Sequence, residues 1–201
     1  LAIALLRIGR EAEGQAAFER SRAVLAALVE RHPDVPMVRA RYAATLSNIA
    51  DERFGAGDFD GTLAELERAR PHHEAARAAE PDNAFAIEAD RSSRWLLALT
   101  QVRRGQLALA VDVLDALVAE PQTVAADERR AARYLAIGCS PEHGAPAAVV
   151  EQAAARVVAW LRRARSNGAL DEAELRTDPT YEPLRHRPDF QHLLGEPERG
   201  R

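Results

Sequence analysis

The chain has 201 residues, 47% of them hydrophobic and 5% aromatic, with a formal net charge of −4. That is enough apolar material for one sizeable domain with an aliphatic core, and no stretch concentrates the positive charge that nucleic-acid phosphates require. All 27 basic residues are arginine and Cys139 is the sole cysteine, which excludes lysine-dependent phosphate loops, Schiff-base chemistry and an internal disulfide, and fits a reducing, cytoplasmic setting.

The opening stretch, "LAIALL" from Leu1, is far too short to span a bilayer, so no membrane insertion is expected. It lacks the basic leader and cleavage site of a signal peptide and reads as the middle of a helix, which suggests a fragment that begins mid-repeat. Gly9 stops that helix and a second follows until Pro33. "HPD" then offers Asp34 as cap for a third helix, which Gly57 ends. The fourth runs to Pro81 and holds Pro71, which should kink it or split it, or sit at a local break of little consequence. "EPDN" offers Asn83 as cap for the fifth, stopped by Gly105, and the sixth closes early at Pro121. A further pair is expected from about Val124 to Gly138 and from Pro146 to Ser166, with Asn167 and Gly168 as its stop. Beyond it Pro179, Pro183 and Pro188 forbid a long helix, while Leu175, Tyr181, Leu184, Phe190 and Leu194 are too apolar for a disordered tail. This segment is expected to fold back over the open end of the stack.

These elements are periodic. Gly9, Gly57 and Gly105 stand 48 residues apart, as do Pro33 and Pro81, and the segments "GREAEGQAAFER", "GDFDGTLAELER" and "GQLALAVDVLDA" align behind the glycines. Five residues after each glycine comes Gly14, Thr62 or Ala110, and nine after it Phe18, Leu66 or Leu114. Three before it stand Leu6, Phe54 and Val102, and seven before it Ala2, Ala50 and Ala98. Each unit therefore reads as a helix, a left-handed glycine turn, a second helix and a proline-marked turn. A single pair cannot bury its apolar face alone, so the units are expected to stack.

The pattern resembles the tetratricopeptide repeat, most closely in "AGDFDGTLAELERA", "IGREAEGQAAFERS" and "RGQLALAVDVLDAL", with a 48-residue step that implies helices extended by about two turns. The resemblance implies an all-α fold, a right-handed solenoid of antiparallel helix pairs over residues 1–168, with a short C-terminal capping segment and tail at 169–201. The closing stretch, Trp160 to Leu194, resembles the end of bacterial tetratricopeptide arrays carried behind serine/threonine kinase domains. No glycine-rich phosphate loop, HRD-type loop or DFG is present, so no catalytic residue is carried over and no cofactor is expected.

What the resemblance implies is a non-catalytic scaffold that binds a protein or peptide in a groove made by the first helix of each pair. The alternatives are a regulatory region of a kinase whose catalytic domain lies elsewhere, and a unit that self-associates through its open N-terminal edge. By the repeat register the groove positions are Ser47, Asn48 and Asp51 in the second unit, with Arg91, Trp95 and Leu99 in the third. Trp95 is either an anchor for a ligand or packing between neighbouring units. A chaperone-tail carboxylate clamp needs lysines and is excluded. His72 and His73 point apart on their helix and read as solvated. Cys139 with His143 makes neither a four-ligand zinc site nor a nucleophile with an orienting partner, and Asp178 beside Tyr181, Arg185 and His186 reads as a turn cap.

Overall fold

A computed structural model describes residues 1–195. The described residues are helical throughout, with no strand: α1 (Ala2–Arg7), α2 (Glu11–Arg31), α3 (Pro36–Gly55), α4 (Phe59–Ala79), α5 (Ala84–Arg103), α6 (Leu107–Val118), α7 (Ala125–Gly138), α8 (Ala147–Ser166), α9 (Glu172–Thr177) and α10 (Pro188–Gly195). Short 3₁₀ turns at Pro141–His143 and Pro179–Leu184 precede α8 and α10. None of these helices is long and apolar enough to cross a membrane. The chain divides into two compact units, Leu1–Leu96 and Leu97–Arg201.

The periodic glycines do the same job three times. Gly9, Gly57 and Gly105 have φ of +76°, +78° and +71°, and each lies two residues past the end of its helix. The glycine N–H donates to the carbonyl three residues back (Leu6, Phe54, Val102). The next N–H donates five residues back, to Leu5, Arg53 and Gln101, at 2.8–2.9 Å. This is the Schellman closure, which satisfies the last free carbonyls while turning the chain sharply. Gly168, off the 48-residue step, closes α8 in the same way through Ala169 and Ala164.

In the first unit α1 packs on α2, α2 on α3, and α3 on α4. The register positions sort by size as the sequence implies: Gly14 and Thr62 are buried in the contacts, and Phe18 and Leu66 fill the spaces beside them. Small side chains let the backbones close up, as where Ala43, Leu46 and Ala69 meet beside Tyr42 and where Ala40, Ala76 and Ala86 meet. In the second unit α6, α7 and α8 pack on one another around Leu107, Leu114, Leu135, Val157 and Leu161.

Two local expectations need correcting. Asp34 caps nothing: α3 follows Val35 and takes Pro36 at its first position, which removes one of the donors a cap would have to satisfy. Asn83, the register partner of Val35, does cap α5, accepting from the N–H of Ala86 at 3.0 Å. Pro71 neither splits nor ends α4, which runs unbroken through it, because the ring faces solvent and α3 supports the opposite side.

The closing segment folds as a cap on α7 and α8. Leu175, Tyr181, Leu184 and Phe190 are buried, and the Tyr181 and Phe190 rings stack at 6.0 Å. The last buried leucine is Leu193, not Leu194, since α10 turns that side of its apolar stripe inward. Arginines fasten the segment: Arg165 donates to the Leu193 carbonyl at 2.7 Å, and Arg187 bridges Glu151 of α8 and Asp189 of α10.

Replacing Gly57 by alanine places a side chain at positive φ in open space, for an expected loss of about 1–2 kcal/mol. Gly105→Ala should cost more, because its Cβ would lie 2.5 Å from the carbonyl oxygen of His143. Urea unfolding of the two variants side by side checks this order. Phe190→Ala should cost about 3–5 kcal/mol by the same measurement, as expected of a closed core position.

Candidate functional site

The first unit carries an open cleft of about 570 Å³ between the second half of α2 and α3, reaching the first turn of α5. Spacing creates it. On α3, Arg41, Ala44, Thr45 and Asn48 follow one another at helical intervals and form a single stripe, and on α2 Arg20, Ser21, Val24 and Leu25 form the facing one. Phe85 closes one end. Val24 is 60% exposed and Phe85 44%, so apolar surface lies open to water here. Arg41 holds its guanidinium 5.7 Å from the centre of the Phe85 ring. Arg20 and Arg41 both line the cleft and no carboxylate does. An apolar side chain accompanied by an anionic group matches that lining.

Of the six residues expected in the groove, Asn48 alone lines the cleft. Ser47, one position earlier and therefore about 100° round the helix, turns the other way. Its hydroxyl donates to the Ala43 carbonyl at 3.0 Å and lies 3.2 Å from Nε2 of His73. Asp51 is exposed one turn past Asn48, beside Glu52, whose pKa is raised by partial burial and by the charges of Asp51 and Glu11. Arg91 is half-buried. Trp95 is 2% exposed and offers no ring surface to a ligand, which corrects the anchor reading. Leu99 is half-buried and belongs to the second unit.

The sequence reading missed Arg20, Val24, Arg41 and Phe85. For Arg41 and Phe85 the signal was present, as the stripe 41, 44, 45, 48, one helical step from the one chosen, and as an aromatic next to the turn at Asn83. Val24 and Leu25 gave no such signal, because an apolar pair on an amphipathic helix reads as core.

The histidines are not solvated, contrary to expectation. His72 is half-buried, its ring edge-on to Tyr42 at 4.9 Å and its Nδ1 3.5 Å from Arg39. His73 is 1% exposed. Burial pushes its pKa down from 6.5 to about 4, with His72 and Arg94 acting in the same direction and Asp90 opposing. Of the other titratable candidates, Cys139 and Tyr181 are buried. Cys139 is buried, its thiol pushed up to about 11, and approaches the Val150 carbonyl at 3.9 Å. Asp178 accepts from the Thr180 N–H at 2.8 Å as a cap, Tyr181 is pushed up to about 12 by burial, and His186 is exposed beside them. Among the described residues no three His, Cys, Asp or Glu side chains gather closely enough to hold a metal.

His73 gives a pH test. The unfolded chain takes up a proton here near pH 6.5, the folded one only near 4, so stability is full above about pH 7 and falls as the pH drops toward 4. The loss attributable to this group is roughly 3 kcal/mol. His73→Leu, which copies the register partner Leu25, should flatten that part of the urea-midpoint profile between pH 7 and 4.5 relative to wild type. No protein-family model matches the chain, and neither a curated protein nor a solved structure does.

Proposed function

We propose that this chain is a non-catalytic protein-interaction scaffold, a tetratricopeptide-type array that docks a partner segment in the cleft of its first unit. The observation that carries the reading is the lining itself: exposed Val24 and Phe85 beside Arg20 and Arg41, with no acid among them. Aromatic and arginine side chains at a water-excluding centre are the usual source of binding energy at interfaces. The segment selected is one with aspartate or glutamate next to leucine- or phenylalanine-like side chains, since the arginines supply attraction and register while the apolar wall supplies burial. The 48-residue repeat supports the array, and the likeness of the closing segment to arrays found behind bacterial serine/threonine kinases supports a place in a larger signalling chain.

The test is fluorescence anisotropy with a panel of labelled 12-residue peptides, acidic-apolar and basic-apolar. Acidic-apolar members should bind, more weakly as salt rises, and Arg41→Glu and Arg20→Glu should each weaken them by about tenfold. Trp95→Ala should instead lower stability by about 3–5 kcal/mol, as a buried residue does. Affinities indifferent to peptide charge and to both arginine reversals would remove the cleft from the account.

A further inference from the structure

Four helices close on a left-handed glycine, and only one of those turns puts a carboxamide in front of it. The residues just before Gly9, Gly57, Gly105 and Gly168 are Ile8, Ala56, Arg104 and Asn167. Asn167 is exposed at the end of α8 and is the only asparagine of the chain followed by glycine. Asn48 precedes Ile49 inside α3, and Asn83 precedes Ala84 at the start of α5. The difference matters chemically. An asparagine side chain can close a five-membered ring with the nitrogen of the next residue, and glycine leaves that nitrogen unhindered and its bonds free to turn. The fold holds the two groups apart. Asn167 has a ψ of 7°, which sets the Gly168 nitrogen beside the residue's own nitrogen rather than over Cβ. The Gly168 N–H donates to the Arg165 carbonyl and the Ala169 N–H to that of Ala164, both at 2.9 Å.

We propose that Asn167 is a self-modification site, converted to a carboxylate without an enzyme whenever the closure of α8 opens, and that the product unfastens the closing segment. The Gly168 nitrogen gives up its proton to hydroxide and attacks Cγ of Asn167. The N–Cγ bond forms, the Cγ–Nδ2 bond breaks, and ammonia leaves with a proton taken from water. Water then adds to either carbonyl of the ring. Opening at Cγ gives aspartate, and opening at the main-chain carbonyl gives isoaspartate, whose backbone runs through Cβ. Water is consumed and ammonia released, with no change of oxidation state. Bringing the nitrogen over Cβ turns the bond that the closure fixes and breaks both of its hydrogen bonds, so the rate follows the opening of the turn. The consequences fall on the fastenings around it. Arg165, just before the reacting bond, holds the Leu193 carbonyl at 2.7 Å and Glu172 at 2.6 Å, and Arg129 of α7 holds the Ala169 carbonyl at 3.2 Å. Isoaspartate inserts a further backbone atom between these anchors and removes the register that both closing hydrogen bonds need. Aspartate puts a negative charge against the carbonyl end of α8.

The test is to age the intact protein at mildly alkaline pH, folded and in urea, and to digest samples with trypsin. Cleavage after Arg165 and Arg176 isolates residues 166–176, which hold no other asparagine. Conversion is read from the mass gained when an amide becomes a carboxyl, and isoaspartate from enzymatic methylation. Expected is steady conversion of the folded protein at a rate lower than in urea by about tenfold or more, as a turn with a local opening cost requires. Hydrogen exchange in α9 and α10 should then be faster in the aged protein than in the fresh one, with α3 and α4 unchanged. Asn167→Gln, whose ring would need six members, should age with neither change. Equal rates in the folded protein and in urea remove the gate, and a folded protein that stays unconverted while the urea sample reacts to completion removes the site; either overturns the proposal. So does a converted protein whose α9 and α10 exchange as slowly as before, or the same loosening on ageing in Asn167→Gln.

Discussion

A left-handed residue at the end of a helix is a steric demand that only glycine meets without cost, and this fold depends on meeting it at regular intervals. At Gly9, Gly57 and Gly105 the closure is the same to within a few degrees and a few tenths of an ångström. Each of the three turns therefore ends its helix with the same pair of backbone hydrogen bonds before the next helix starts. The small and large positions five and nine residues on are buried in each of the three helices that follow. Side-chain size does the rest: Thr62 and Ala110 disappear into contacts where anything larger would hold the backbones apart, and Leu66 and Leu114 fill what remains.

Within the first unit, electrostatics follow from this packing rather than direct it. Glu65 is buried with Arg22, Arg53 and Arg68 around its carboxylate, the nearest at 3.1 Å, so a charge that would be costly alone is surrounded by opposite ones. His73 is treated differently. It takes the position that leucine holds one repeat earlier, behaves as a bulky neutral group, and keeps one polar contact to Ser47.

The helices and their ends were legible because their determinants are local. Glycine and proline act within a few residues, and a spacing of 48 is visible without any coordinates. The helix ends at Gly138 and Ser166 and the folded tail followed from the same kind of mark. Smaller things were not legible. A proline such as Pro71 breaks a helix or rides on its wet side according to what supports it, and that support comes from another helix. The cap at Val35 rather than Asp34 turned on one residue of register. The groove was harder still. Choosing Ser47 rather than Thr45 on α3 is an error of two residues and half a helical turn, and only the neighbouring helix says which side is free. Trp95 shows the general limit, since an aromatic that anchors ligands and one that closes a core have identical sequence signatures.

The arginine fastenings of the tail and the buried imidazole of the first unit both weaken in acid, but in different ranges of pH. Arg187 keeps its charge at any pH a protein survives, while Asp189 and Glu151, which it grips, hold their pKa values below the ordinary carboxylate range chiefly through those hydrogen bonds. That clasp loosens only in strong acid. His73 begins to penalise folding while those carboxylates are still fully ionised. Mild acidification is therefore a selective solvent for this molecule: it softens the N-terminal half, where the open cleft lies, and leaves the C-terminal closure latched.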